Sequence, residues 1–265
     1  MRADAAALRA LWAADTPAFG AWSTLADPVV AELLAAGPAD YVCVDTQHGH
    51  VTGADLARTL QAFRAGGRAP VVRVAWNEPA AIFRALDAGA SGVVVPMVDD
   101  GDAARAAVRA VRYPPAGERS WGPMWGDSRP VPAPADQDRE ALCVVMVETA
   151  AAVDHLDEIL ATAGVDAVYI GPNDLALSCG LGRATYRDCA DVRALLDGIV
   201  ATCRRRGVPV GLHCSDAVMA GHWAAEGVRM LTAVTETAAL RRAVADELEG
   251  AAAHYRGAVP RTTGR

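Results

Sequence analysis

Two apolar runs near the middle of the chain lead directly to acidic residues. The run 141–147 ends at Glu148, and the run 166–170 is followed by the segment 171–174, which ends in Asp174. Apolar runs of this length, bounded by turn residues, are typical of strands buried on both faces of a parallel sheet. Acids that follow two neighbouring strands meet at one edge, where hard oxygen ligands suit Mg²⁺ or Mn²⁺. In the alternative interpretation, Glu148 caps the next helix and Asp174 lies in a turn.

Strand-like runs alternate with helical segments along the whole chain. Eight predicted strands begin near residues 19, 41, 71, 92, 141, 167, 209 and 229, and a helix is predicted after each, including one over 151–163. This alternation predicts a single-domain (β/α)8 TIM barrel over residues 1–265. A doubly wound open sheet is the alternative, but no G-x-G-x-x-G follows the first strand, which weakens its dinucleotide-binding form.

One connection is much longer than the others. The stretch 113–140 contains six prolines together with Trp121 and Trp125. Connections this long are usually functional or disordered, and the two tryptophans favour an ordered lid or a contact between subunits. The tail 256–265 is polar and is expected to be frayed.

Composition narrows the classes of partner. The net charge of −7 and the pI of about 5.4 argue against nucleic acid as a partner. No run of eighteen apolar residues occurs, and the first residues lack a signal-peptide pattern, so we expect a cytoplasmic protein that does not bind membranes. The six cysteines show no C-x-x-C spacing and are expected to be free thiols.

The chain contains no lysine, because all 25 basic residues are arginine. A Schiff base with a carbonyl substrate requires a lysine amine, and so does a covalently held pyridoxal cofactor. A P-loop also requires lysine. Carbanion chemistry in this chain must therefore use a metal or a hydrogen-bonded oxyanion site.

Polar residues gather at or just beyond the carboxyl ends of the predicted strands, where a TIM barrel carries its active site. They are Asp45, Gln47, His48, Arg73, Glu148, Asp174 and His213. Arg73 is able to stabilise an oxyanion or bind a carboxylate. His48 is suited to proton transfer at neutral pH, and Asp45 is expected to orient it. The buried charges of Arg73 and Asp45 would be costly without a function.

Several motifs occur in the same order as in one known family. They are the segments 45–49 (DTQHG), 70–74 (PVVRV), 86–90 (LDAGA), 94–98 (VVPMV), 112–120 (RYPPAGERS), 147–149 (VET) and 169–175 (YIGPNDL). With these motifs the chain resembles the HpcH/HpaI aldolase family over roughly residues 19–235.

The resemblance implies a metal-dependent, class II pyruvate aldolase. Glu148 and Asp174 would hold Mg²⁺ or Mn²⁺, with Co²⁺ and Zn²⁺ as alternatives. Arg73 would contact the keto oxygen of pyruvate and stabilise its enolate, and His48, paired with Asp45, would transfer the proton.

The same resemblance implies further contacts and an assembly. Backbone N–H groups near Gly171, Asn173 and Asp174 would bind the pyruvate carboxylate. The assembly would be a homohexamer, a trimer of dimers with the C-terminal helix exchanged between subunits. Asp87 would reach the site of a neighbouring subunit.

Departures from the family pattern leave the aldehyde open. Gln47 stands where many members carry glutamate, and Met146 stands where some carry glutamine. His213 would lie near the aldehyde, and the segment of Trp121 and Trp125 would form part of the same wall. Two alternatives remain: a C–C lyase or synthase that uses oxaloacetate or a coenzyme A ester, and a barrel that binds without catalysing.

Overall fold

The computed structural model of the protein describes residues 5–126 and 130–258. Eight parallel strands pair in chain order, and the first also pairs with the last, so the sheet closes into a barrel. The strands are β1 (Ala18–Ser23), β2 (Tyr41–Asp45), β3 (Val71–Arg73), β4 (Gly92–Val95), β5 (Leu142–Val147), β6 (Ala167–Ile170), β7 (Val210–His213) and β8 (Met230–Thr235). The predicted TIM barrel is therefore confirmed, and the open sheet is excluded.

Helices surround the barrel. They are α1 (Ala5–Ala13), α2 (Pro28–Ala36), α3 (Gly53–Ala65), α4 (Pro79–Ala88), α5 (Gly101–Val111), α6 (Pro134–Glu140), α7 (Ala150–Asp154), α8 (Leu156–Leu160), α9 (Pro172–Ser178), α10 (Ala190–Arg206), α11 (Ala217–Ala225) and α12 (Glu236–Ala258). The side chain of Asp27 caps α2 by accepting from the N–H of Val29, and Pro28 begins the helix, as the sequence predicts. None of the described helices is long and apolar enough to cross a membrane.

The core has two layers because successive residues of a strand point to opposite faces. In β5, Val144 and Met146 belong to the cluster inside the barrel, whereas Val145 and Val147 pack between the sheet and the helices. Aromatic rings and aliphatic side chains fill the interior together, and a Cβ atom on Gly20 would lie 2.2 Å from Cζ of Tyr41. Glycine at that position therefore leaves the space that the tyrosine ring occupies.

The long stretch 113–140 differs from the prediction in two ways. Its last part forms α6, and residues 127–129 lie outside the described residues. The stretch joins the end of α5 to the start of β5, so it lies at the amino ends of the strands, opposite the mouth of the barrel. For the described residues, a lid over the chain's own mouth, or a wall formed there by Trp121 and Trp125, is therefore wrong.

Three other boundaries differ from the sequence prediction. The helix expected over 151–163 is divided into α7 and α8 at His155, whose Nδ1 lies 3.0 Å from the carbonyl oxygen of Ala151. Asp174, which the alternative interpretation placed in a turn, lies in the short helix α9. Helix α12 continues to Ala258, so residues 256–258 are not a frayed tail, and 259–265 lie outside the described residues.

Candidate active site

Asp45 and Arg73 form a buried ion pair at the mouth of the barrel. They are the last residues of β2 and β3 and lie opposite each other in the strand register. The Nε and Nη2 atoms of Arg73 donate to the two carboxylate oxygens of Asp45 at 2.9 and 2.5 Å. Burial alone would raise the pKa of Asp45, but the hydrogen bonds and charge of Arg73 outweigh it and lower the pKa. This two-point contact fixes the guanidinium plane.

The expected pairing of Asp45 with the imidazole of His48 is wrong in this structure. Asp45 Oδ1 instead accepts from the backbone N–H groups of Gln47 at 3.0 Å and His48 at 3.2 Å. The carboxylate also accepts from the indole N–H of Trp22 at 3.1 Å. Its oxygens are thus occupied by Arg73, Trp22 and the backbone, and Asp45 positions His48 through the main chain.

Trp22, in β1, is a site residue that the sequence analysis missed. Its ring stacks on Tyr169 with the centroids 5.6 Å apart, and His213 meets it edge-on at 4.8 Å. The guanidinium carbon of Arg73 lies 5.1 Å from the centroid of the indole. Trp22 therefore holds Asp45 by a hydrogen bond and Arg73 by a cation–π contact. A tryptophan in an apolar strand is read as core, so its sequence context gave no signal.

Replacing Trp22 with phenylalanine should lower turnover about 10-fold, because a hydrogen bond to a buried carboxylate contributes roughly 1.5–3 kcal/mol. The ring remains, but the donor to Asp45 is lost, so Arg73 and the His48 loop are less firmly held. The check is kcat and KM for methyl-proton exchange on pyruvate, the substrate that the family resemblance implies. Trp12→Phe is the control, because it also loses an indole donor, to the carbonyl of Arg229, but lies on α1 at the opposite end of the barrel. Equal kcat values for the two variants would contradict the role of Trp22 in holding Asp45 and Arg73.

Glu148 follows β5 and is buried at the same mouth, with 2% of its surface exposed. Its Oε1 accepts from the N–H of Met97 at 2.8 Å, and Met97 has a left-handed backbone, with φ of 55°. A Cβ atom on Gly171 would lie 2.4 Å from Oε2 of Glu148, so glycine there admits the carboxylate. Burial, with a smaller contribution from the charge of Asp174, raises the pKa of Glu148 to about 7 against the opposing N–H of Met97.

Asp174 lies in the first turn of α9, close enough to Glu148 to influence its pKa. Gly171 precedes this helix, so the amides of Asn173 and Asp174 lie where a helix has no internal acceptors for them. The side chain of Thr149, not that of Glu148, caps α7 by accepting from the N–H of Ala152 at 3.0 Å. The alternative in which Glu148 serves as a helix cap is therefore excluded.

The remaining predicted residues divide into two groups. Gln47 borders the site, and its Oε1 is buried with no hydrogen-bond partner among the described residues. The imidazole of His213 lines the mouth, and burial lowers its pKa to about 4, with Arg73 adding to the effect, so it is neutral at pH 7. Asp87 lies elsewhere: it is near the end of α4, where it binds Nη2 of Arg119 at 2.8 Å.

The position of Asp87 follows from the direction of its helix. In a barrel, helices run back to the amino ends of the strands, so the end of α4 lies opposite the mouth. The N–H of Met124 donates to the carbonyl of Asp87 at 2.9 Å, which attaches the stretch 113–126 to the same place. Asp87 is therefore not part of its own chain's site.

The acids at the mouth are fewer than a closed metal site requires. Among residues 5–126 and 130–258, no group of three or more His, Cys, Asp or Glu side chains is arranged to hold a metal ion. The predicted pair Glu148 and Asp174 leaves coordination positions to other oxygen donors, as catalytic Mg²⁺ sites commonly do.

Comparison with known proteins assigns the family. The model of the HpcH/HpaI aldolase/citrate lyase family matches residues 18–243. The chain belongs to this family. It is 35% identical over 233 residues to a 2-dehydro-3,6-dideoxy-6-sulfogluconate aldolase of Pseudomonas putida, covering 86% of this chain and 90% of the relative. It is 34% identical over 244 residues to a hydroxypyruvate/pyruvate aldolase of Rhizorhabdus wittichii, covering 90% and 97%.

Solved structures of the family have the same fold. An HpcH/HpaI aldolase/citrate lyase family protein of Burkholderia cenocepacia superposes with a TM-score of 0.85 at 32% identity, covering 93% of this chain and 98% of the other. An HpcH/HpaI aldolase of Desulfitobacterium hafniense gives a TM-score of 0.84 at 27% identity, covering 97% and 99%. With relatives that are named aldolases over most of its length, the chain is an enzyme of the aldolase class, a carbon–carbon lyase.

Proposed function

We propose that this enzyme reversibly cleaves a 4-hydroxy-2-oxoacid to pyruvate and an aldehyde, with help from a bound divalent cation. The observation that carries the proposal is the meeting of a fixed guanidinium with two acids at one barrel mouth. The charges of Arg73 and Asp174 both act on the pKa of Glu148, the first lowering it and the second raising it. A cation site beside an oxyanion stabiliser is the arrangement that enolate chemistry needs in a chain without lysine.

The residues at the mouth fit a divalent cation. Glu148 and Asp174 would hold it, since two carboxylates are hard oxygen ligands for Mg²⁺ or Mn²⁺. The unpartnered Oε1 of Gln47 is a further acceptor at the mouth that a water or the substrate would satisfy. Members of the family generally depend on a divalent metal. When bound, the cation would polarise the 2-oxo group as a Lewis acid.

The protein side chains divide the remaining work. Arg73, held by Asp45, places its positive charge where the keto oxygen becomes negative as the C3–C4 bond breaks. In cleavage, His48 takes the proton of the 4-hydroxyl group as the C3–C4 bond breaks and passes it to C3 of the enolate to give pyruvate, and the same transfers run backwards in condensation; this role is worth about 10²–10⁴-fold. The backbone amides of Asn173 and Asp174 bind the carboxylate of pyruvate next to Gly171.

A metal-removal experiment tests this function. Methyl-proton exchange on pyruvate, followed by NMR in D₂O, requires the enolate but no aldehyde. We expect exchange with Mg²⁺ or Mn²⁺, its loss after EDTA, and its return on re-addition of metal, because several kcal/mol of charge stabilisation would be removed. Exchange that persists in EDTA would contradict the metal role, and the absence of exchange and of aldol product under all conditions would contradict the function.

We also propose that the enzyme is a homo-oligomer in which α12 and the surface near Asp87 are covered by neighbouring copies. Leu240, Val244 and Leu248 lie along one face of α12, and each is at least half exposed. A continuous apolar stripe on a helix usually marks an interface. Trp121, 53% exposed, lies on the same stretch as the residues that bind Asp87. Such contacts would bring Asp87 to a neighbouring mouth, in a hexamer of the family type.

Placing a charge on this stripe should dissociate the assembly. Val244→Asp is expected to lower the mass measured by light scattering to that of a smaller oligomer or monomer, because an interface core tolerates a lone buried charge poorly. Val218→Asp is the control, since Val218 is exposed on α11, outside the stripe. An unchanged mass for Val244→Asp, or a monomeric parent protein, would contradict the proposal.

A further inference from the structure

A cavity of about 210 Å³ opens beside the mouth, between the segments that follow β6 and β7. Asn173 and His213 line it on the side of the proposed pyruvate site, and Tyr186, Arg187 and Ser215 line it farther out. With ~30 Å³ for each water molecule of the liquid, this volume corresponds to roughly seven waters. The cavity is therefore large enough for a short aldehyde next to the place where the C3–C4 bond forms.

The single charged residue among the described lining residues, Arg187, is already neutralised. Its Nη1 and Nη2 atoms lie 3.2 and 3.3 Å from the two carboxylate oxygens of Asp216, and its Nε donates to the hydroxyl of Tyr186 at 3.1 Å. The hydrogen bonds and charge of Arg187, with the N–H of Met219, lower the pKa of Asp216 to about 2, so it is ionised at neutral pH. An anionic ligand would have to compete with Asp216 for the guanidinium and would be repelled by it.

The other polar groups of the wall are uncharged. The hydroxyl of Ser215 donates to Asp216 at 2.9 Å and that of Thr185 to Asp188 at 3.0 Å, so both oxygens are left as acceptors. His213 is neutral at pH 7 for the reasons given above. The two hydroxyl oxygens suit a hydroxyl donor on the ligand, and the neutral ring of His213 carries one N–H for a carbonyl, so the wall suits a ligand with such groups and no net charge.

We infer that this cavity is the acceptor subsite and that the Arg187–Asp216 pair makes it select aldehydes with an uncharged polar tail. The inference rests on the proposed function and specifies its substrate class. The inferred preference for an uncharged tail differs from the substrates named for two relatives. One is the Pseudomonas putida relative, and the other is a Salmonella relative, 34% identical over 233 residues, named 4-hydroxy-2-oxo-heptane-1,7-dioate aldolase. The substrates in those names carry an acidic group, a sulfonate or a second carboxylate, beyond the 2-oxoacid.

The test compares two acceptors of similar length, succinic semialdehyde and its methyl ester, in condensation with pyruvate. The measured quantity is the ratio of kcat/KM for the anion to that for the ester, which cancels changes in the enolisation step. We expect a ratio well below one for the parent enzyme. Asp216→Asn, which keeps an N-cap for α11, should raise the ratio about 2- to 5-fold by freeing the charge of Arg187, the size expected for a solvent-exposed ion pair. Arg187→Gln should lower this ratio, because the negative charge of Asp216 then has no positive partner and repels the anionic aldehyde.

The control is Asp197→Asn, which breaks the Arg193–Asp197 pair on α10, outside the cavity lining, and should leave the ratio unchanged. A parent enzyme that prefers the anion, or two cavity variants that leave the ratio unmoved while pyruvate still exchanges its methyl protons, would overturn the subsite alone. No exchange in the parent enzyme would overturn the proposed function, and the subsite with it.

Discussion

Replacing Glu148 with glutamine is expected to slow methyl-proton exchange on pyruvate by about 10³-fold, because the proposed function makes its carboxylate a charged ligand of the cation. The amide is close in shape to the carboxylate, and its oxygen still accepts from the N–H of Met97. The backbone of Gly171 already makes room for a group at the other terminal position. The loss should therefore come from charge and not from a change in the fold.

The same substitution should stabilise the metal-free protein. The pKa of Glu148 is raised to about 7 in the folded state, from 4.5, so ionisation of the buried group opposes folding. The penalty is full above pH 7, decreases as the pH falls, and vanishes near 4.5, with a maximum of roughly 3 kcal/mol from 1.36 kcal/mol per pKa unit. Glutamine removes this penalty, so the gain in unfolding free energy should be largest at pH 8 and absent at pH 4.5.

Two measurements on one variant distinguish this result from a general defect. Exchange rates are followed by NMR with saturating Mg²⁺, and unfolding free energies by urea titration in EDTA at pH 8 and near pH 5. Glu158→Gln, on the exposed side of α8, is the matched control and should change neither quantity. Exchange that stays within a few-fold of the parent, or a variant that is less stable at pH 8, would show that Glu148 has a structural role instead.

The barrel could be predicted from the sequence because its signals are local. Apolar runs alternate with helices, and signals such as Asp27-Pro28 and Gly89 mark where helices begin and end. The carboxyl ends of parallel strands share one side of the barrel, so the grouping of Asp45, Arg73 and Glu148 followed from their positions in the strands. The stretch 113–126 belongs to a connection that leads from a helix into a strand, so it lies at the amino ends of the strands, opposite the mouth. Its proline and tryptophan content alone did not indicate this position.

What the sequence could not supply is the pairing of side chains within the mouth. Asp45 and His48 are three residues apart, so the sequence predicts a carboxylate–imidazole pair. In the structure, Arg73 and Trp22 instead donate hydrogen bonds to the carboxylate of Asp45. Both partners are distant in sequence, and only the barrel register brings β1 and β3 to either side of β2. The contacts that the sequence missed are therefore those made across strands.

Substituting lysine for Arg73 is the second change with a large expected effect, a loss of about 10²–10³-fold in exchange and cleavage. Lysine keeps the positive charge but is unable to make the two parallel hydrogen bonds that Arg73 makes to Asp45. The charge would no longer be fixed where the keto oxygen becomes negative, and Asp45 would lose much of its pairing. Stability should also fall by roughly 3 kcal/mol, because a buried ion pair is disrupted.

The control for this substitution is Arg105→Lys, in an exposed pair with Asp102 at 2.5 Å on α5, where lysine should be tolerated. Because the parent chain has no lysine, Arg73→Lys also introduces an amine next to the keto group. Borohydride reduction with pyruvate, followed by mass spectrometry, shows whether that amine forms a Schiff base, so any residual activity is assigned to the correct chemistry. Near-parental exchange without a trapped adduct would mean that a positive charge alone suffices and that the guanidinium geometry held by Asp45 and Trp22 does not contribute.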